Sequence, residues 1–315
     1  MTAETLAEPT LESVESMLRV QLAQGDTMLS TAAPILRHLL VNDDLALLSD
    51  EVVARVRGML LDVARQLLHA QAEAVRIEEH APFVAEREEA LAQRMAGDAG
   101  FLAHVHALTI EARLTLQLQA RSNVDPVLCP LLQELVASSD DTVAGSAMAV
   151  LAAQARFIQH HRRMALPLAE LPGDLFHAAL LALRSIAEES EAASAERTLR
   201  DRYDEGHGRL GLISHLVMRM GKAAPALDIH HAGLAIFATA LAMASRQERD
   251  VTVLSFSDRQ FARFALAMRA AGLKQPVVEE QFLHLHREIS LPEGFDRLPA
   301  ERASSLLASS TLRGA

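Results

Sequence analysis

Three times along the chain a serine and an aspartate stand directly before an amphipathic run. The phrases are Ser49-Asp50-Glu51-Val52-Val53-Ala54, Ser139-Asp140-Asp141-Thr142-Val143-Ala144 and Ser257-Asp258-Arg259-Gln260-Phe261-Ala262. A serine hydroxyl can accept a hydrogen bond from an orphan N–H of a first helical turn, and a carboxylate beside it faces the positive end of the helix dipole. Each phrase therefore predicts a helix N-terminus. After the first, Val53, Val56, Leu60, Val63 and Leu67 alternate three- and four-residue spacing, which lines one face of a helix. A chain punctuated in this way folds as packed helices.

Composition agrees. Half of the 315 residues are hydrophobic, yet there is no Trp, one Tyr (Tyr203) and ten Phe. The core must be built from Ala, Leu, Val and Met, residues that suit close helix packing better than β-sheet. The expected fold class is all-α: an irregular helical bundle, or a degenerate HEAT-like helical array, of about a dozen helices. Only residues 251–256 look strand-like, and one strand cannot make a sheet.

The net charge is −11 and the basic residues are nearly all arginine, with Lys222 and Lys274 the only lysines. An acidic balance disfavours general binding to phosphate backbones. Arg197, Arg200, Arg202 and Arg209 could form a local basic patch, or simply a solvated helix face. Cys129 is alone, so no disulfide forms within the chain, and its apolar setting (Val127, Leu128, Leu131) predicts a small buried hydrophobe. Residues 1–9 carry Glu4 and Glu8 without an apolar core, unlike a signal peptide. The uncharged stretch 232–244 is too short to span a bilayer and suits a buried helix. These features predict a soluble, cytoplasmic protein.

Local signals divide the chain. A first helix from Thr10 should end at Gly25, and a short second one should follow Pro34. The Ser49 helix should run towards His80 and stop before Pro82. Asp98 should cap the next, Asp125-Pro126 should start another, and Gly173-Asp174 one more. Residues 187–208 turn polar, and the expected organisation is an N-terminal helical domain over 10–186, a polar connector over 187–208, a C-terminal helical subdomain over 209–290 and a loosely ordered tail over 291–315.

A hint of duplication accompanies the capping phrases. Pro34-Ile35-Leu36 with Leu39-Leu40 precedes the Ser49 phrase, and Pro126-Val127-Leu128 with Leu131-Leu132 precedes the Ser139 phrase. On these paired segments, over about residues 34 to 160, the chain resembles Ala- and Arg-rich helical proteins of GC-rich Gram-negative bacteria, some with HEAT-like repeats. Those families have no assigned activity, so the resemblance implies a helical architecture and transfers no functional residue.

Several constellations invite chemistry. Gly206-His207-Gly208-Arg209-Leu210-Gly211 spells G-x-G-x-x-G, but the dinucleotide motif needs a buried strand in front, and residues 199–205 are polar and helical in character. Asp174/His177, Asp204/His207 and Asp228/His231 place acid and imidazole three residues apart, as carboxylate-bridged di-metal bundles do; composition alone supplies about two such pairs. His104/His106 and His284/His286, two apart, face different sides of a helix and cannot chelate together. His160-His161-Arg162-Arg163 could carry a phospho-acceptor histidine, or could complement the negative end of a helix. No nucleophile elbow, Walker A, H-E-x-x-H or paired-cysteine motif occurs.

No catalytic, cofactor-binding or metal-ligating set is therefore assigned, and no cofactor is expected. The function expected is that of a non-enzymatic helical scaffold or adaptor whose partner is a protein, itself or another, with neither nucleic acid nor membrane involved. The alternative is a helical metal-binding protein or enzyme built on the three Asp/His pairs. Phe256, Phe261, Phe264, Phe282 and Phe295 mark the C-terminal third as the expected interface, unless the rings pack together as an ordinary core.

Overall fold

The computed structural model describes residues 11–41, 50–221, 224–257, 260–286 and 290–310, without the side chains of 33, 34, 37–41 and 189. Among them are fourteen α-helices and no strand. In chain order they are α1 (Leu11–Val41), α2 (Asp50–Val75), α3 (His80–Ala96), α4 (Ala99–Ser122), α5 (Pro130–Val136), α6 (Asp141–Arg162) and α7 (Gly173–Arg184). Then come α8 (Glu189–Arg202), α9 (Arg209–Arg219), α10 (Ile229–Ser245), α11 (Arg249–Leu254), α12 (Phe261–Ala270), α13 (Gln275–Leu285) and α14 (Ala300–Ala308). The fold is all-α, and no described helix is long and apolar enough to cross a membrane.

Helices α4 and α10 make the centre. α4 is buried on nearly every side, from Phe101 to Leu118, and α10 from Ala232 to Ala242, so neither has the single apolar stripe of a surface helix. Two apolar clusters meet on α4. One gathers α2, α3 and α7 around Val63, Leu67, Leu91, Phe101 and Leu180. The other gathers α1, α9, α10, α12, α13 and α14 around Leu18, Leu114, Phe237, Phe264 and Leu306. In a solenoid each repeat touches only its neighbours. Here α4 packs on α1, α2, α3, α6, α7, α10, α11 and α13, so the arrangement is an irregular bundle. The duplication dissolves likewise: Pro34 lies inside a continuous helix, whereas Pro126 lies in a turn before α5.

The capping phrases fare unequally. Asp140 caps α6, its Oδ1 accepting from the N–H of Thr142 (2.9 Å) and Val143 (3.3 Å); Ser139 makes no such cap. α2 begins at Asp50, and Ser49 lies outside the described residues. The third phrase does not start its helix directly. Ser257 Oγ donates to Leu254 O at the end of α11, and α12 begins at Phe261 with no side-chain cap; Asp258 lies outside the described residues. Asp98 caps α4 as expected. Asp125 instead closes a turn through the N–H of Val127 and Leu128, and α5 starts only at Pro130.

Other boundaries differ for tertiary reasons. Gly25 does not end the first helix, because its missing side chain lets Gln260 approach; a Cβ there would lie 2.4 Å from Gln260 Oε1. Residues 187–208 are no free connector. They hold α8, whose Ala192, Ala195 and Glu196 are buried, and which packs on α2 and α7. Arg197, Arg200, Asp201 and Arg202 face out, while the buried Glu196 pairs with Arg184 and Arg200. The tail likewise carries α14, which packs on α12 through the cluster holding Ala303, Leu306 and Leu307; residues 311–315 lie outside the described residues. The strand-like segment 251–256 mostly belongs to α11.

Candidate interaction face

A buried polar group sits where α4, α6, α9 and α11 converge. Glu111 on α4 is fully buried and accepts both arms of Arg209, Nη1 at 2.6 Å and Nη2 at 3.1 Å, the paired geometry that makes such contacts strong. Arg249 Nη2 stands 3.0 Å from the second carboxylate oxygen, and the Arg209 guanidinium lies 3.6 Å over the Phe157 ring. Arg209 Nη1 also donates to Gln154 Oε1, and its backbone N–H donates to Glu170 Oε2. Burial opposes the carboxylate charge, but the two arginines outweigh it and hold the Glu111 carboxyl at about 2. Beside this group His104 Nδ1 lies 2.8 Å from Asp250 Oδ2. The groups pair one another across four helices, which makes this a staple of the fold.

Of the four arginines read as a local basic patch or a solvated helix face, three stay exposed on α8 and the fourth does not. Arg209 is buried with Glu111, and Arg200 bonds Glu196 and His177, while Arg197 and Arg202 remain on the surface of α8. The glycines of 206–211 serve close packing and follow a helix rather than a strand. A Cβ on Gly208 would meet Ala169 O at 2.8 Å, and one on Gly211 would meet Glu205 O at 2.4 Å.

The Asp/His pairs do not come together. His177 Nδ1 faces Arg200 at 3.0 Å, and His207 Nδ1 closes on its own Asp204 at 2.8 Å on the surface. Asp228 caps α10 through the N–H of His230 and His231, and His231 Nε2 turns to Glu134 at 3.4 Å. No group of three or more His, Cys, Asp or Glu among the described residues could hold a metal ion. Other histidines serve the interior. Burial drives His106 down to about 4, and burial with the Arg55 charge does the same to His161. His286 Nε2 meets Phe256 O at 2.7 Å, and His284 stacks on His230.

Cys129 precedes α5 and packs against Gly233, whose dihedrals (φ 69°, ψ 162°) break α10 in a region only glycine adopts readily. Burial pushes the thiol up to about 11, so it stays protonated, a packing group rather than a nucleophile.

The phenylalanines of the C-terminal third are core. Phe256, Phe264, Phe282 and Phe295 are at most 1% exposed and Phe261 is half-buried. Phe264 stands edge-on to both Phe256 and Phe282 at 4.9 Å, and edge-on to Phe237 at 6.2 Å. These are favoured aromatic geometries, worth about 0.5–1.5 kcal/mol per pair beyond burial. Two accessible rings would be needed for an interface, so the expected location is corrected.

Helix α1 carries four of the thirteen large hydrophobic residues that are exposed among the described residues. α1 runs roughly 46 Å at 1.5 Å per residue. One face is sunk into the body through Val14, Leu18 and Leu22, with buried polar ties at Gly25 and Asp26. Gln260 Nε2 donates to Gly25 O at 2.7 Å, Arg263 pairs with Asp26, and Ser310 Oγ donates to Asp26 Oδ2 at 2.6 Å. The opposite face presents Met17 (43% exposed), Val20 (55%), Met28 (43%) and Ile35 (36%). Ser13, Ser16, Gln24, Thr27 and Thr31 fill the same arc, and none of these nine residues is charged. The hydroxyls of Thr27 and Thr31 donate back to Ala23 O and Met28 O, which leaves their methyl groups for contact. Nothing in the sequence singles out this face, because the glycine signal at Gly25 divides the helix that carries it.

No protein-family model, curated protein or solved structure matches the chain.

Proposed function

We propose that this chain is a non-enzymatic scaffold or adaptor that works through a helix-to-helix interface on the outward face of α1. The observation that carries the reading is the uncharged arc from Ser13 to Ile35, with four exposed large apolar side chains, on a chain with 23% charged residues. Exposed apolar surface arranged contiguously marks interaction sites, whereas apolar residues scattered singly need no explanation. The inner face of α1 is pinned by buried polar ties, so the helix offers its outer face as part of a rigid body, at small entropic cost to a partner. An amphipathic partner helix fits such a surface through anchors at three- and four-residue spacing.

The test is co-purification with the full chain against the Val20→Glu/Ile35→Glu variant. Both positions are exposed, so thermal unfolding should be unchanged while any protein held by wild type, a second copy included, is lost. The same bound proteins on both chains would refute the reading.

A further inference from the structure

We infer that a single water molecule is bound inside the body, between α6, the start of α9 and the turn Leu168–Glu170, and that it accepts its hydrogen bond from Nε2 of His161. Arg55 fixes the tautomer that makes this possible. Burial and the Arg55 charge keep the His161 ring neutral, so one ring nitrogen carries a proton and the other a lone pair. Arg55 Nη1 stands 3.3 Å from Nδ1 and also donates to His161 O at 3.0 Å. A guanidinium has donors only, so Nδ1 must accept and the proton must sit on Nε2. That N–H belongs to a residue 7% exposed and meets no acceptor among the described residues. A buried donor left unpaired costs its full desolvation, and folded proteins rarely keep one.

The space beside it suits one water. His160 and His161 both line a cavity of about 20 Å³, and a water needs roughly 10–15 Å³ of such space. The side chains of Met59, Leu108 and Leu166 form an apolar wall that offers a donor nothing. His160 Nδ1 is a second buried ring nitrogen there with no partner among the described residues. Glu170 brings a carboxylate whose Oε2 accepts from the N–H of Arg209, which leaves Oε1 able to accept again. Arg209 also lines the cavity, but both its Nη atoms are taken up by Glu111 and Gln154. The occupant must therefore accept from His161 and donate to Glu170 or His160. Water does both, with the two or more polar partners that a buried water needs. A halide could only accept, and it would face the Glu170 carboxylate.

The experiment joins a long-range ¹H–¹⁵N spectrum of the histidine rings at neutral pH to a crystal structure of the full chain at a resolution that shows ordered water. The spectrum should show His161 as the Nε2–H tautomer. The density should hold one water at hydrogen-bond distance from that nitrogen and from His160 Nδ1 or Glu170. Crystals soaked in bromide should give no anomalous peak in the cavity. His161→Gln, whose amide reaches to where Nε2 stood, should keep the water. His161→Phe, which keeps a ring but donates nothing, should lose it. An Nδ1–H tautomer, a cavity without density, a bromide peak or a water kept by His161→Phe overturns the assignment. Should His161→Phe fail to fold, the wild-type tautomer and density decide alone.

Discussion

The aromatic cluster of the C-terminal third and the outer face of α1 are both apolar, and they have opposite fates. Phe237, Phe256, Phe264 and Phe282 close on one another through α10, α12 and α13 and vanish from the surface. Met17, Val20, Met28 and Ile35 stay exposed along a helix whose other side is already used. The density of large apolar residues therefore points to a core, and the absence of charge on an exposed face points to a contact surface. The contrast can be broken or sharpened by substitution in each region.

The largest effect belongs to the interior. Phe264→Ala removes a ring from the middle of the cluster and should cost about 3–5 kcal/mol in urea unfolding. Arg209→Met should cost a similar amount, about 3–5 kcal/mol, because it leaves Glu111 buried with only Arg249 beside it. In either case association measured under native conditions should change far less than stability.

Acid should unfold the interior in two stages. His106 and His161 are held at about 4 in the fold, against 6.5 in the unfolded chain. The unfolded state therefore takes up more protons as pH falls, and the stability these residues confer, complete above 6.5, drains away down to about 4. Glu111, held at about 2 against 4.5, loses its contribution below that, from 4.5 to 2. Urea midpoints measured from pH 7 to pH 4 should fall, and His161→Gln should flatten part of the slope. A slope unchanged by that substitution would show that His161 takes up no proton on unfolding.

Smaller effects test the caps and the surface. Asp140→Ala should destabilise by roughly 0.5–2 kcal/mol, while Ser139→Ala, which removes no cap, should lie within about 0.5 kcal/mol of wild type. Val20→Glu should also stay within about 0.5 kcal/mol in stability while abolishing association. If Val20→Glu destabilised the chain by several kcal/mol, the outer face of α1 would be core after all.

The helical class was legible from periodicity and caps, because both are local. Asp98 and Asp140 cap α4 and α6 with side chains that reach only their own first turns. Tertiary contacts were not legible. Gly25 carries a stop signal in sequence, yet the close approach of Gln260, 235 residues away, carries the helix through it. Residues 187–208 read as polar because one side of α8 meets water, and the pattern could not say that Ala192 and Ala195 seat the other side on α2. Nor could spacing reveal that Glu111, Arg209 and Arg249 meet, since a pairing 98 residues apart leaves no periodic trace. The α1 face was hidden for the same reason: a helix read as two short pieces has no long outer arc.

Methionine oxidation footprinting tests the assignment of α1 most directly. Six methionines among the described residues are exposed in the single chain: Met17 and Met28 on the outer face of α1, and Met148, Met164, Met218 and Met243 elsewhere. In dilute purified chain all six should oxidise. In cells that make it, Met17 and Met28 should be protected while the other four oxidise as before. Equal oxidation of all six under every condition would contradict an interface on α1.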